Sequence, residues 1–85
     1  MQKDKKVVLI SGTSSGIGKY LASKLSNRYI VIGFSRRNLK LRRKNYYHYK
    51  LDINNFTNMQ NIVKKIFIKF KKVDILINNA GTNIS

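Results

Sequence analysis

The order of apolar and polar positions divides the chain into segments of two kinds. Val7-Val8-Leu9-Ile10 is an unbroken, β-branched-rich run that ends at Ser11-Gly12. A run without alternation predicts a strand covered on both faces, as in a parallel sheet. Gly12-Thr13-Ser14-Ser15-Gly16 is a turn cluster. Beyond it the spacing becomes helical, with Ile17, Leu21, Ala22 and Leu25 on one face and Ser26-Asn27 as the stop. Tyr29 to Phe34 predicts a second buried strand. Ser35 to Asn45 is basic and holds one or two helical turns at most. Tyr46 to Leu51 predicts a third, aromatic-rich strand ending at Asp52. Asn54 to Asn58 is polar and caps a helix with a broad apolar stripe of Ile62, Val63, Ile66, Phe67 and Phe70. Val73 to Ile77 predicts a fourth strand, and Asn78-Asn79-Ala80-Gly81 its exit turn.

Strands that alternate with helices predict an α/β fold with a parallel sheet and right-handed crossovers. The expected strand order is 3-2-1-4, the first half of a doubly wound sheet plus one strand past its switch point, truncated there.

Composition narrows the function classes. At 85 residues the chain has room for one small domain of marginal stability. The absence of Cys excludes disulfides and thiolate metal sites, and one His with three acids disfavours any metal site. Val7 to Ile10 is too short for the apolar segment of a signal peptide. Nothing approaches the ~20 apolar residues of a membrane span, so the expected compartment is the cytoplasm. The net charge of +15 favours anionic ligands. Its lysines are scattered, so compositional bias accounts for the charge better than a dedicated nucleic-acid or membrane face.

The chemistry centres on Gly12, Gly16 and Gly18. A helix N-terminus carries free N–H groups and about half a positive charge. A diphosphate bound there needs close backbone approach, which a Cβ blocks. In this reading Gly12 turns the chain off the strand, Gly16 opens space for the diphosphate, and Gly18 lets the helix pack on the strand. Thr13, Ser14 and Ser15 add hydroxyl donors. A glycine-rich loop with no ligand is the alternative, but placement between a strand and a helix is the context that phosphate binding requires.

Ser11-Gly12-Thr13-Ser14-Ser15-Gly16-Ile17-Gly18 resembles the Thr-Gly-x-x-x-Gly-x-Gly motif of the short-chain dehydrogenases/reductases, with Ser11 in place of the usual Thr. Leu51-Asp52-Ile53 resembles that family's Asp after the third strand. Asp74, and Asn78-Asn79-Ala80-Gly81 after Ile75-Leu76-Ile77, resemble its second motif. The resemblance covers essentially the whole chain but only the front of the family's pattern. It implies a partial Rossmann-type domain over residues 1–85 that binds a dinucleotide through the turn from Gly12 to Gly18. It places Asp52 and Ile53 at the adenine, and Asn79, Ala80 and Gly81 along the adenosine and its ribose. Asn78 is expected to bond backbone and hold the turn. Asp52 as a simple loop cap remains the alternative.

An NAD-preferring site has an acid at the end of the second strand, about 20 residues past the glycines. Here that position is Ser35, followed by Arg36 and Arg37. A guanidinium pairs with a 2′-phosphate that a carboxylate would repel. Similarity to NADP-preferring members makes Arg36 the contact, assisted by Ser35 or Arg37, so NADP(H) is expected ahead of NAD(H). Solvated loop arginines are the alternative.

In the family, hydride transfer relies on a Ser and a Tyr-x-x-x-Lys pair downstream of the Asn-Asn-Ala-Gly turn, where this sequence has only Thr82 to Ser85. Tyr20 with Lys24, and Tyr46 with Lys50, have that spacing but sit on the wrong elements, and His48 is expected to pack or face solvent. No catalytic residue is assigned. The chain is therefore expected to be a cofactor-binding fragment, inactive alone and dependent on a completing polypeptide or self-association. A non-catalytic nucleotide-binding module and a basic nucleic-acid-binding protein are the alternatives.

Overall fold

Strands that are apolar at every position must bury both faces, and the sheet does so by carrying a helix on each. The computed structural model describes residues 5–14, 16–52 and 54–79. The elements run β1 (Val7–Ser11), α1 (Gly16–Leu25), β2 (Ile30–Ser35), β3 (Tyr46–Lys50), α2 (Phe56–Phe70) and β4 (Ile75–Ile77). The sheet order is β3-β2-β1-β4 with every pair parallel, as the sequence predicts.

The strand period of two sorts side chains between the helices. Val8, Ile10, Val31 and Tyr46 pack with Ala22 of α1. Val7, Ile30 and Ile32 pack with Ile66 and Phe70 of α2. All six residues of β2 are buried, which makes it the spine of the fold. Ile10 and Ile32 are fully buried, and each such side chain contributes about 1.5–3 kcal/mol.

Two expectations about the helices are corrected. Ile17 is 71% exposed and is not on the packed face of α1. Gly18 and Ala22 are the buried residues of that helix. With Gly18 against β1, its neighbour Ile17 projects about 100° away around the axis. Phe67 is 48% exposed, so the stripe of α2 is narrower than predicted: only the row that includes Ile62, Ile66 and Phe70 packs on the sheet. The segment after β2, expected to hold one or two helical turns at most, includes a turn closed by the Tyr46 N–H on Arg43 O at 3.3 Å and is irregular before it. Leu39 and Leu41, two residues apart, both pack into the α1-side cluster, and that spacing belongs to extended chain.

Capping accounts for the bounds of α2. Asn55 Oδ1 accepts from the Asn58 N–H at 3.0 Å, and Lys71, at φ 73°, closes the end through its N–H on Phe67 O. Among the described residues no helix is long and apolar enough to cross a membrane. β4 starts at Ile75 rather than Val73, whose side chain joins the α2-side cluster. Asp74 fixes the start of β4: its N–H donates to Val7 O at 2.8 Å and its Oδ2 accepts from Val7 N at 2.8 Å.

Candidate functional site

Parallel strands bring all their carboxyl ends to one edge, and the predicted site residues collect there. The turn after β1 is built by backbone that L side chains resist. Gly12 has φ 71° and Gly16 has φ 58°. Gly12 N–H donates to Phe34 O at 2.8 Å, which ties the turn to β2. A Cβ at Gly18 would run into Gly12 O and lie 2.6 Å from Asn79 Nδ2, so α1 starts hard against the strand. A Cβ at Gly16 would meet nothing within 4 Å. Among the described residues the helix thus opens onto free space with first-turn amides that have no intrahelical acceptor, and no acid occupies that turn. This cradle fits a phosphate group.

Thr13 does not contribute the expected hydroxyl. Its side chain is fully buried and bonds the Tyr46 hydroxyl at 2.8 Å, which leaves only its main chain for a ligand. Ser14 is half-buried at the turn. Ser15, Ile53, Ala80 and Gly81 lie outside the described residues.

At the ends of β2 and β3 an open cleft of about 360 Å³ is lined by Arg36, Lys50, Leu51, Asp52 and Asn58. It brings together Arg36 and Asp52, and adds Lys50 and Asn58, which the sequence did not assign to cofactor binding. Ser35 is buried and donates its hydroxyl to Arg37 O at 2.6 Å, so it shapes the basic segment. Arg36 and Arg37 are exposed. Asp52 Oδ1 accepts from Asn54 N at 2.9 Å, the loop-capping bond, while Asp52 also faces the cleft.

His48 was not expected to take part. Its Nδ1 lies 2.7 Å from the Tyr46 hydroxyl, and its Nε2 lies 2.8 Å from Arg37 O and 3.2 Å from Ser35 Oγ. Burial raises the Tyr46 phenol above its ordinary pKa, against a smaller lowering by the Thr13 hydrogen bond. The sequence signal was Gly33, a glycine inside a strand, which marks close approach. A Cβ there would strike the Tyr46 hydroxyl and lie 2.7 Å from Thr13 Oγ1.

The β4 exit closes the turn from the other side. Ser11 Oγ donates to Asn78 Oδ1 at 3.2 Å and accepts from Asn79 N at 3.0 Å. Asn79 Nδ2 donates to Gly12 O at 3.1 Å. The carboxamide that bonds backbone and holds the turn is therefore that of Asn79, with Asn78 paired to a side chain. Tyr20 is 61% exposed with Lys24 5.8 Å over its ring, away from this edge. No three His, Cys, Asp or Glu side chains cluster among the described residues.

Comparison with known proteins agrees with this geometry. The family model described as short chain dehydrogenase matches residues 6–85. The 3-oxoacyl-[acyl-carrier-protein] reductase FabG of Buchnera aphidicola subsp. Baizongia pistaciae is 38% identical over 95% of this chain and 36% of its own length. The 3-ketodihydrosphingosine reductase of Bacteroides thetaiotaomicron is 37% identical over 92% of this chain and 29% of its own length. The chain thus spans about a third of the length of these relatives. The structure of ElxO with NADP bound matches with a TM-score of 0.80 at 35% identity, over 95% of this chain and 37% of that one. A short-chain dehydrogenase of Leptospira borgpetersenii with bound NAD+ matches with a TM-score of 0.81 at 29% identity, over 99% of this chain and 35% of that one. With its glycine turn, strand order and Asn-Asn exit in place, the chain belongs to the short-chain dehydrogenase family.

Proposed function

We propose that this chain is the NADP(H)-binding half of a Rossmann-type domain, and that the complete protein transfers hydride between a nicotinamide and a carbonyl or alcohol carbon. The bound cofactor supplies the hydride chemistry. The chain's own residues bind and orient it. The α1 amides and the backbone of Gly12, Thr13, Ser14, Ser15, Gly16, Ile17 and Gly18 hold the diphosphate. Arg36 takes the 2′-phosphate, with Arg37 and Ser35 behind it. Asp52 and Ile53 hold the adenine, and Asn79, Ala80 and Gly81 run along the adenosine and its ribose. Proton transfer belongs to groups outside this set, supplied by a completing polypeptide or by a further part of the same protein.

The observation that carries the reading is the open cradle at Gly16, on the same sheet edge as a cleft lined by Arg36. Structural relatives hold NADP in one case and NAD+ in another, so the choice rests on this chain's own arginine. Fluorescence titration of the 85-residue chain tests it. NADPH is expected to bind about tenfold to a hundredfold more tightly than NADH, the value of one charge-assisted hydrogen bond. Arg36→Ala should remove most of that ratio. Equal affinities in the wild type would refute the arginine assignment, and a folded chain that binds neither would refute the cofactor reading.

A further inference from the structure

The cleft and the glycine turn are joined by a row of side chains, two of which, Tyr46 and His48, the proposed function leaves unused. Thr13 on the turn, Tyr46 and His48 on β3, and Ser35 with Arg37 at the end of β2 form one hydrogen-bonded chain across three strands. Gly33 lies beneath it, paired with His48 in the sheet, and its missing side chain leaves the room that Thr13 and the Tyr46 hydroxyl fill.

We propose that His48 is a positioning residue that fixes the Arg36–Arg37 segment relative to the glycine turn, and so sets the preference for a 2′-phosphorylated dinucleotide. The inference rests on the NADP(H) reading above. Arg37 O can only accept, so the imidazole Nε2 at 2.8 Å must carry a hydrogen. In the neutral ring Nδ1 then accepts from the Tyr46 hydroxyl. In the imidazolium Nδ1 donates to Tyr46, whose hydrogen turns to Thr13. Both forms leave the Nε2–H on Arg37 O. With the Ser35 hydroxyl at 2.6 Å, the Arg37 carbonyl has two donors and a fixed direction. That direction sets the path by which the chain leaves β2, and hence where the Arg36 side chain enters the cleft. Ordering this segment before the cofactor arrives removes an entropy cost that binding would otherwise carry.

The test uses the full chain with His48→Leu and His48→Gln, titrated with NADPH and with NADH, and with melting followed by circular dichroism. Leu removes the donor to Arg37. Gln offers an N–H to Arg37 O and an oxygen to Tyr46. The NADPH-to-NADH affinity ratio is expected to fall about tenfold in His48→Leu and to recover in His48→Gln. A merely structural role would weaken both cofactors together and leave the ratio in place, and that result overturns the proposal. Should His48→Leu fail to fold, His48→Asn replaces it, since its carboxamide is too short to reach Arg37. A lost ratio is then expected, and a retained one overturns the inference. A wild-type chain that shows no preference overturns this inference and the NADP(H) reading together. A wild-type preference that survives at position 48 overturns this inference alone.

Discussion

β3 and β4 flank the β1–β2 pair on opposite sides, and the two are held by different forces. β3 is five residues long, with Tyr46 buried on the α1 side and Tyr47 against Phe70 on the α2 side, ring centroids 4.9 Å apart. Its polar atoms join the chain of hydrogen bonds through His48. β4 has three residues, and Ile75 and Leu76 are 38% and 67% exposed. Polar side chains hold it at both ends: Asp74 on Val7 at the start, and Asn78 and Asn79 on Ser11 and Gly12 at the exit. Burial fixes the β3 side of the sheet, and hydrogen bonds fix the β4 side, whose apolar middle is exposed among the described residues.

The largest effect is expected where both sides depend on one contact. Gly18→Ala puts a methyl into Gly12 O and against Asn79, and should cost about 3 kcal/mol, the upper range for overpacking. In a chain of this size that is a large fraction of the stability, so the circular dichroism melt should move down by about 10–20 °C and NADPH binding should weaken with it. A wild-type melt would show that the turn yields, and that the two sides are not joined there.

A smaller effect isolates the β4 side. The Val7 N–H, aided by Lys72 and opposed by partial burial, holds the Asp74 carboxyl below the ordinary carboxylate range. A depressed folded-state pKa means that its contribution is complete above the unfolded value and is lost as pH falls through the folded one. Protection of the β4 amides in hydrogen exchange should therefore fall on acidification through that window, while β2 and β3 stay protected. Asp74→Asn should flatten the dependence. An unchanged profile would mean that burial, after all, holds β4.

The smallest effect tests the bare middle. Leu76→Lys replaces an exposed apolar side chain and should change stability by less than about 0.5 kcal/mol. It should also reduce self-association in sedimentation velocity, because an open apolar edge pairs with other chains. Association that persists unchanged would place the contact elsewhere.

The elements and their order were legible because they depend on period and punctuation. Val7 to Ile10 and Ile30 to Phe34 can only be buried strands, and the glycines mark the turn between β1 and α1. What escaped depends on pairing between distant segments. Gly33 marked a close approach, but which β3 residue lies beside it is set by the length of the basic segment, so the partners in the link from Thr13 through Tyr46 to His48 were not legible. Thr13 looked like a phosphate donor because its neighbours do, yet its hydroxyl serves Tyr46. Ile17 looked like core because its spacing to Leu21 is helical, and the packing of Gly18 turned it out. The motif drew attention to the Asn-Asn pair, but the division of labour between Asn78 and Asn79 follows from the geometry of the β4 exit.

Asp74 grips both main-chain groups of Val7, and this acts as an index mark for the outer strand. Three half-bare residues bury too little to choose their own facing, and sliding by one position would exchange Ile75 and Ile77 for Leu76 beneath α1. Any foreign strand grafted onto this side would inherit the same ambiguity unless it, too, began with a carboxylate one step ahead.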